Sequence, residues 1–215
     1  IVVTIAVIVI TIQIQGLYET FEEGFRHAYF QVASIISTTG YSTVDYANTW
    51  PVLSLIILLL LMLAGSCAGS TAGGIKQSRV IIIIKYSKSK LVNLISPRKV
   101  NVIRLDGKPL DNSIVDSTVV FFVIYIMMII VSTFLISIWN PNMPAGDSNP
   151  LTMFSASLAC ISNIGPGLGA VGPAGGFAQF SWFSKLVLAN LMLAGRLELF
   201  PILILFFPGT WKKNI

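Results

Sequence analysis

The sequence predicts an all-α integral membrane protein in which one unit, a span, a short helix, a glycine-containing loop and a second span, occurs twice. Three observations lead there. Of 215 residues, 54% are hydrophobic and only 11% are charged, where a soluble domain carries about 25% charged residues. Apolar runs long enough to cross about 30 Å of hydrocarbon alternate with runs too short to do so. Two sequence echoes recur in the same order, 125 and 130 residues apart.

The first apolar run, 1–14, opens without methionine, basic leader or small-residue cleavage site. That predicts neither a signal peptide nor a natural start, but a fragment that begins inside a span. The runs at 51–86, 114–139 and 180–211 each exceed the roughly 20 residues that a spanning helix needs. Between them lie 25–37 and 151–162, helix-compatible stretches of about 18–20 Å at 1.5 Å per residue. Such a segment enters a bilayer without leaving it on the far side, so it is re-entrant or interfacial.

The echoes organise these pieces. "QVASIISTTGYST" (31–43) and "SASLACISNIGPG" (155–167) each end an apolar short helix with Ser-x-x-Gly, Ser37/Gly40 and Ser162/Gly165. "LMLAG" stands at 61–65 and again at 191–195. The organisation expected is a first repeat over 1–100, a basic connection over 101–113 and a second repeat over 114–215, the two in the same orientation.

Charge sets the sidedness. Nine of the fourteen Lys and Arg fall between Lys76 and Lys108, and Lys212 and Lys213 lie near the C-terminus. The positive-inside rule therefore places 85–113 and the C-terminus in the cytoplasm. At the opposite end, 140–184 has no Lys or Arg, and 16–50 sets Arg26 against Glu19, Glu22, Glu23 and Asp45. The net charge of +5 is not spread over a soluble face, so nucleic acid is not an expected partner; the lipid bilayer is. Cys67 and Cys160 read as packing residues, and the single His27 has no cysteine or carboxylate cluster at ligand spacing, so no resident metal is expected.

The glycine loops carry the chemistry. Unpaired backbone persists at membrane depth only where protein buries it or water lines it. A short helix whose C-terminus points inward brings the negative end of its dipole and its free carbonyls toward the membrane centre. A glycine just beyond lets the chain extend with carbonyls on one side, and such carbonyls can replace the hydration shell of potassium or sodium. Thr38, Thr39, Gly40 and Tyr41 are placed to do this, as are Asn163, Ile164, Gly165 and Pro166. The fold expected is thus one of span–pore-helix–span units with extended filter loops around a pore.

"AGSCAGSTAGGIK" (64–76) interrupts the second span. Gly65, Gly69 and Gly73 at i, i+4, i+8 fit a helix-packing stripe. Gly74 lies off that stripe, and Ser66, Ser70 and Thr71 would leave a polar helix face in lipid, which favours an unwound intramembrane loop able to occlude a pore. The stretch is not a phosphate-binding loop, because Ile75 separates Gly74 from Lys76 and Gln77 comes next. Arg196 is expected near the middle of a span, where a charge costs about 2.5 kcal/mol or more. Either it pairs with a residue of another repeat or it projects into the ion path and raises the barrier to cations.

In "STTGYST", "GSCAGSTAGGIK", "NIGPGLGAVGP" and "AGRLELFP" the chain resembles the Trk/Ktr/HKT superfamily of potassium and sodium uptake proteins, specifically the bacterial Trk and Ktr membrane subunits. The resemblance implies four repeats around one pore, of which this chain supplies the third and fourth. It implies Gly40 and Gly165 as filter glycines, 65–74 as a gate loop and Arg196 as a guarding charge. It also implies a multi-pass inner-membrane protein and, as the transported ion, K+ or Na+. As partners it implies the missing repeats one and two or another copy, a homodimer, and a cytoplasmic nucleotide-binding regulatory subunit. No cofactor is expected in this chain. The competing class is an intramembrane enzyme, for which Ser66, Ser70 and His27 are the sole Ser/His candidates; His27 is expected at the outer end and the serines at mid-membrane, too far apart for a hydrogen bond.

Overall fold

The computed structural model describes residues 1–67, 69–70, 72–96, 103–105, 107–140, 149–197 and 201. The helices are α1 (Val2–Ile14), α2 (Phe21–Ile36), α3 (Tyr46–Thr49), α4 (Val52–Ala64), α5 (Gln77–Ile95), α6 (Asn112–Trp139), α7 (Pro150–Ile161) and α8 (Trp182–Arg196). A two-residue pair, β1 (Arg104–Leu105) and β2 (Lys108–Pro109), forms an antiparallel hairpin between α5 and α6.

Packing repeats as the sequence does. In the first copy α1, α2 and α4 pack on one another; in the second, α6, α7 and α8 do the same. Contacts of α4 with α7 and of α5 with α6 join the two copies. The buried core runs through this junction, from Ile10 and Ile14 of α1 through Val32 and Leu58 to Tyr125, Ile161 and Leu191. Outward faces stay apolar, with Ile5, Leu60, Met127 and Phe134 exposed, as expected of surface that meets acyl chains rather than water. α6 has 28 residues, about 42 Å at 1.5 Å per residue, enough to span the bilayer. Among the described residues it is the one helix both long and apolar enough to do so unaided.

Three expectations are corrected. The first short helix begins at Phe21, not 25, and has 16 residues; Thr20 caps it by accepting from Glu23 N, and Glu22 and Glu23 favour the positive end of its dipole. The run 51–86 is two helices: α4 stops at Ala64, the described residues of 65–76 are not helical, and α5 continues past 86 to Ile95. The run 180–211 is helical over Trp182–Arg196 and is capped at Leu197. Beyond it only Pro201 is described, so the rest of that run, with Lys212 and Lys213, lies outside the described residues. The hairpin in the basic connection has no counterpart among the sequence expectations; Lys85 Nζ donates to the Arg104 carbonyl at 2.7 Å and ties it to α5.

Candidate functional site

The two Ser-x-x-Gly loops are the same backbone structure. After α2, the amides of Ser37, Thr38 and Thr39 donate to the carbonyls of Ala33, Ile35 and Ser34 at 3.1, 3.1 and 2.9 Å. After α7, those of Ser162, Asn163 and Ile164 donate to Leu158, Cys160 and Ala159 at 3.0 Å each. This is a Schellman termination, which needs a left-handed residue at its turn, usually glycine. Here Thr38 (φ 57°) and Asn163 (φ 55°) hold that place, and Gly40 (φ 78°) and Gly165 (φ 110°) come two residues later. A β-branched threonine there is strained, and such strain concentrates at functional loops. One expectation changes: most of the last-turn helix carbonyls, those of Ala33, Ser34 and Ile35 and of Leu158, Ala159 and Cys160, are not free, because the amides that follow cap them. No hydrogen bond from a described residue reaches the carbonyls of Thr38, Thr39 and Gly40, or of Ile164 and Gly165, so the open acceptors belong to the loops.

The loops meet. A Cβ built on Gly40 would overlap the Ile164 carbonyl oxygen and lie 3.2 Å from Pro166 Cδ. Thr38–Tyr41 and Asn163–Pro166, separated by more than a hundred residues, therefore share one edge. At Gly165 a Cβ would meet nothing within 4 Å, so only its positive φ calls for glycine.

Polar struts, fully buried in the second copy and partly buried or exposed in the first, hold each loop, and run-length and repeat reasoning miss them. In the first copy Ser34 Oγ donates to the Tyr41 carbonyl at 2.6 Å, Gln31 Nε2 donates to Ser42 Oγ at 2.6 Å, and His27 Nδ1 pairs with Thr43 Oγ1 at 2.9 Å. In the second, Ser155 Oγ accepts from Leu168 N at 2.9 Å, and Tyr125 Oη pairs with Ser162 Oγ at 2.8 Å. A signal for them exists: a polar residue inside a short apolar helix needs a partner when buried. His27 is engaged with Thr43, and among the described residues no hydrogen bond joins it to Ser66 or Ser70.

The 65–74 stretch is a narrow-necked loop. Gly65 (φ 65°) ends α4, and Gly69 and Gly74 are also left-handed, which rules out a helical packing stripe. At the neck a Cβ on Gly74 would sit 2.9 Å from Gly65 Cα, so the two backbones touch. Gln77 closes the base, its amide N donating to the Ser66 carbonyl at 2.9 Å and its Nε2 to the Gly65 carbonyl at 3.1 Å. Within the loop Ser70 Oγ accepts from Ala72 N at 3.2 Å, and Ser66 is half-buried; Thr71 lies outside the described residues. A Cβ on Gly73 would overlap the Ser162 carbonyl, and one on Gly195 would overlap the Ile161 carbonyl. The loop and α8 thus press on the end of α7 at its Ser-x-x-Gly turn.

Below that turn is a cavity of about 240 Å³, lined among others by Ser70, Gly73, Lys76, Arg79, Tyr125 and Arg196. Arg196 is the last residue of α8 and stands at the negative end of the helix dipole. Arg79 lies over the Phe121 ring at 4.0 Å. Among the described residues no cluster of His, Cys, Asp or Glu could hold a metal ion.

The family model described as TrkH, cation transport protein, matches residues 2–213. The chain belongs to the TrkH family. It is 34% identical over 198 residues to the Trk system potassium uptake protein TrkH of Salmonella typhimurium, covering 92% of this chain and 39% of that protein. It is 33% identical to the Trk system potassium uptake protein TrkG of Escherichia coli, also over 198 residues. The solved structure of the potassium transporter TrkH from Vibrio parahaemolyticus superposes with a TM-score of 0.86 at 33% identity, covering 98% of this chain and 43% of that one. The chain therefore spans about two fifths of the length of these relatives. TrkH membership makes it an all-α membrane protein of a transporter family, not an enzyme.

Proposed function

We propose that this chain is the ion-selective half of a potassium uptake protein. One observation carries the reading: two Schellman-terminated short helices deliver two glycine loops to a shared edge at Gly40 and Ile164. In this reading the loop carbonyls of Thr38, Thr39, Gly40 and Tyr41 and of Asn163, Ile164, Gly165 and Pro166 replace part of the hydration shell of K+. Two further repeats complete the ring. Loop 65–74, with Gly65, Ser66, Gly69, Ser70, Thr71, Gly73 and Gly74, gates the path below, and Arg196 sets a positive barrier beside it. Potassium is preferred to a mixed Na+/K+ path because the relatives matched across these loops are named potassium uptake proteins.

The protein works in the inner membrane as a multi-pass homodimer, with residues 85–113 and the C-terminus cytoplasmic. That basic face meets a nucleotide-binding regulatory subunit, and no cofactor is held in this chain. The test is rubidium uptake and potassium-limited growth in a potassium-uptake-deficient bacterium carrying the full-length gene. Uptake that falls in both Gly40→Ser and Gly165→Ser supports one shared filter. Uptake absent from the parent, or indifferent to both changes, refutes it.

A further inference from the structure

We infer that Asp45 is a cation-collecting site at the outer mouth of the filter, an assignment that rests on the transport reading above. A cavity of about 520 Å³ opens between the two filter loops and the turns that succeed them, lined among others by Gly40, Tyr41, Asp45, Gly165, Gly172 and Phe177. Among the described residues that line it, Asp45 alone carries a charge at neutral pH. It lies five residues past Gly40 on the same strand of chain.

The carboxylate is held but not satisfied. Oδ2 accepts from Asn48 Nδ2 at 2.7 Å, and the Asp45 carbonyl accepts from Thr49 Oγ1 at 2.7 Å. Oδ1 is shielded and has no hydrogen-bond donor among the described residues. It faces the second copy, 3.8 Å from where a Cβ of Gly172 would stand. That same Cβ would come 2.6 Å from Ala47 Cβ, so a glycine is what allows the second copy's turn to close on α3 and bring the carboxylate to the shared mouth. The neighbouring Tyr46 adds no charge, because burial and the negative Asp45 beside it hold its phenol well above the ordinary range.

With Oδ2 taken by Asn48 and Oδ1 shielded by the second copy, Asp45 acts on an arriving cation through its field rather than by direct ligation. A single-sign charge in a mouth with low-dielectric walls also concentrates counter-ions before the filter selects among them. Asp45 therefore governs how much cation reaches the filter, and the loop carbonyls govern which cation passes.

The test is rubidium uptake kinetics in the uptake-deficient bacterium, comparing the full-length parent with Asp45→Asn, Asp45→Glu and Asn48→Ala at matched membrane abundance. Each is measured at low ionic strength and in about 0.5 M choline chloride, where the Debye length is only a few ångströms. Expected for Asp45→Asn is a rise in KM of about three- to tenfold with unchanged Vmax at low ionic strength, narrowing in choline chloride. Asp45→Glu keeps the parental KM, and so does Asn48→Ala, which a purely structural Asp45–Asn48 pair would not allow. A parental KM in Asp45→Asn, a loss of Vmax alone, or a KM rise insensitive to salt overturns the assignment while leaving the transport reading intact. If Asp45→Asn does not reach the membrane, the parent decides: a KM indifferent to choline chloride overturns it. A parent that takes up no rubidium overturns both.

Discussion

Leu-Met-Leu-Ala-Gly occurs at 61–65 and at 191–195, yet the two copies fold apart at its last residue. Gly65 is left-handed and ends α4, whereas Gly195 is an ordinary helical residue next to Arg196. The residues just beyond the shared pentapeptide decide between the two. Ser66 leads into a stretch with Gly69, Gly73 and Gly74, each glycine costing a helix about 1 kcal/mol relative to alanine. Arg196 and Leu197 are good helix formers, and the helix runs through Gly195 to Arg196. The first copy uses the position for a loop, the second for a cation, and both press on the end of α7 through Gly73 and Gly195.

The largest effect should come from removing the asymmetry altogether. Deleting residues 66–73 joins Gly65 to Gly74, whose backbones already touch, so the splice is sterically mild. Rubidium uptake is expected to rise on the order of tenfold, because nothing then occludes the path; uptake at the parental rate would return these glycines to mere packing. Next is Arg196→Ala, which takes the charge from the second copy. Uptake should rise severalfold at matched membrane abundance, because the positive barrier beside the path is removed. Unchanged or reduced uptake by well-folded protein would end the guarding role.

Smaller still is the contrast between glycines within the first copy. Gly69→Ala meets open space and is opposed only by its φ of 85°, a loss of about 1–2 kcal/mol. Gly73→Ala drives a methyl into the Ser162 carbonyl, so its thermal midpoint should fall further and its K+/Na+ discrimination should weaken as the α7 turn shifts. Equal midpoints for the two variants would mean that the loop does not bear on the filter turn.

The repeat, the two short helices and the break at Gly65 are legible in the sequence because glycine, serine and apolar run length report backbone requirements directly. The extra turn of α2 is legible too, in Thr20 and Glu23, but an apolar-length criterion passes over polar first turns. Less accessible are the struts. Ser34 and Ser155 are alike as buried serines, yet they sit at non-equivalent places in the two copies, so the internal repeat cannot reveal them. Nor can it show that helix-end carbonyls are capped by the loop, since a Schellman turn with Thr38 or Asn163 at its left-handed place lacks the usual glycine signal. Arg196 stands out in the sequence as an unusual charge, but hydropathy alone does not show that the helix carrying it is capped at Leu197.

The measurement that bears most directly on the account is the K+/Na+ permeability ratio of the purified full-length protein in proteoliposomes, for the parent, Gly40→Ala and Gly165→Ala. Both substitutions should lower the ratio, Gly40→Ala more, because it adds overlap with the Ile164 carbonyl to the strain of a positive φ that both share. Ratios equal to the parent in both variants would contradict the claim that the two loops form one filter.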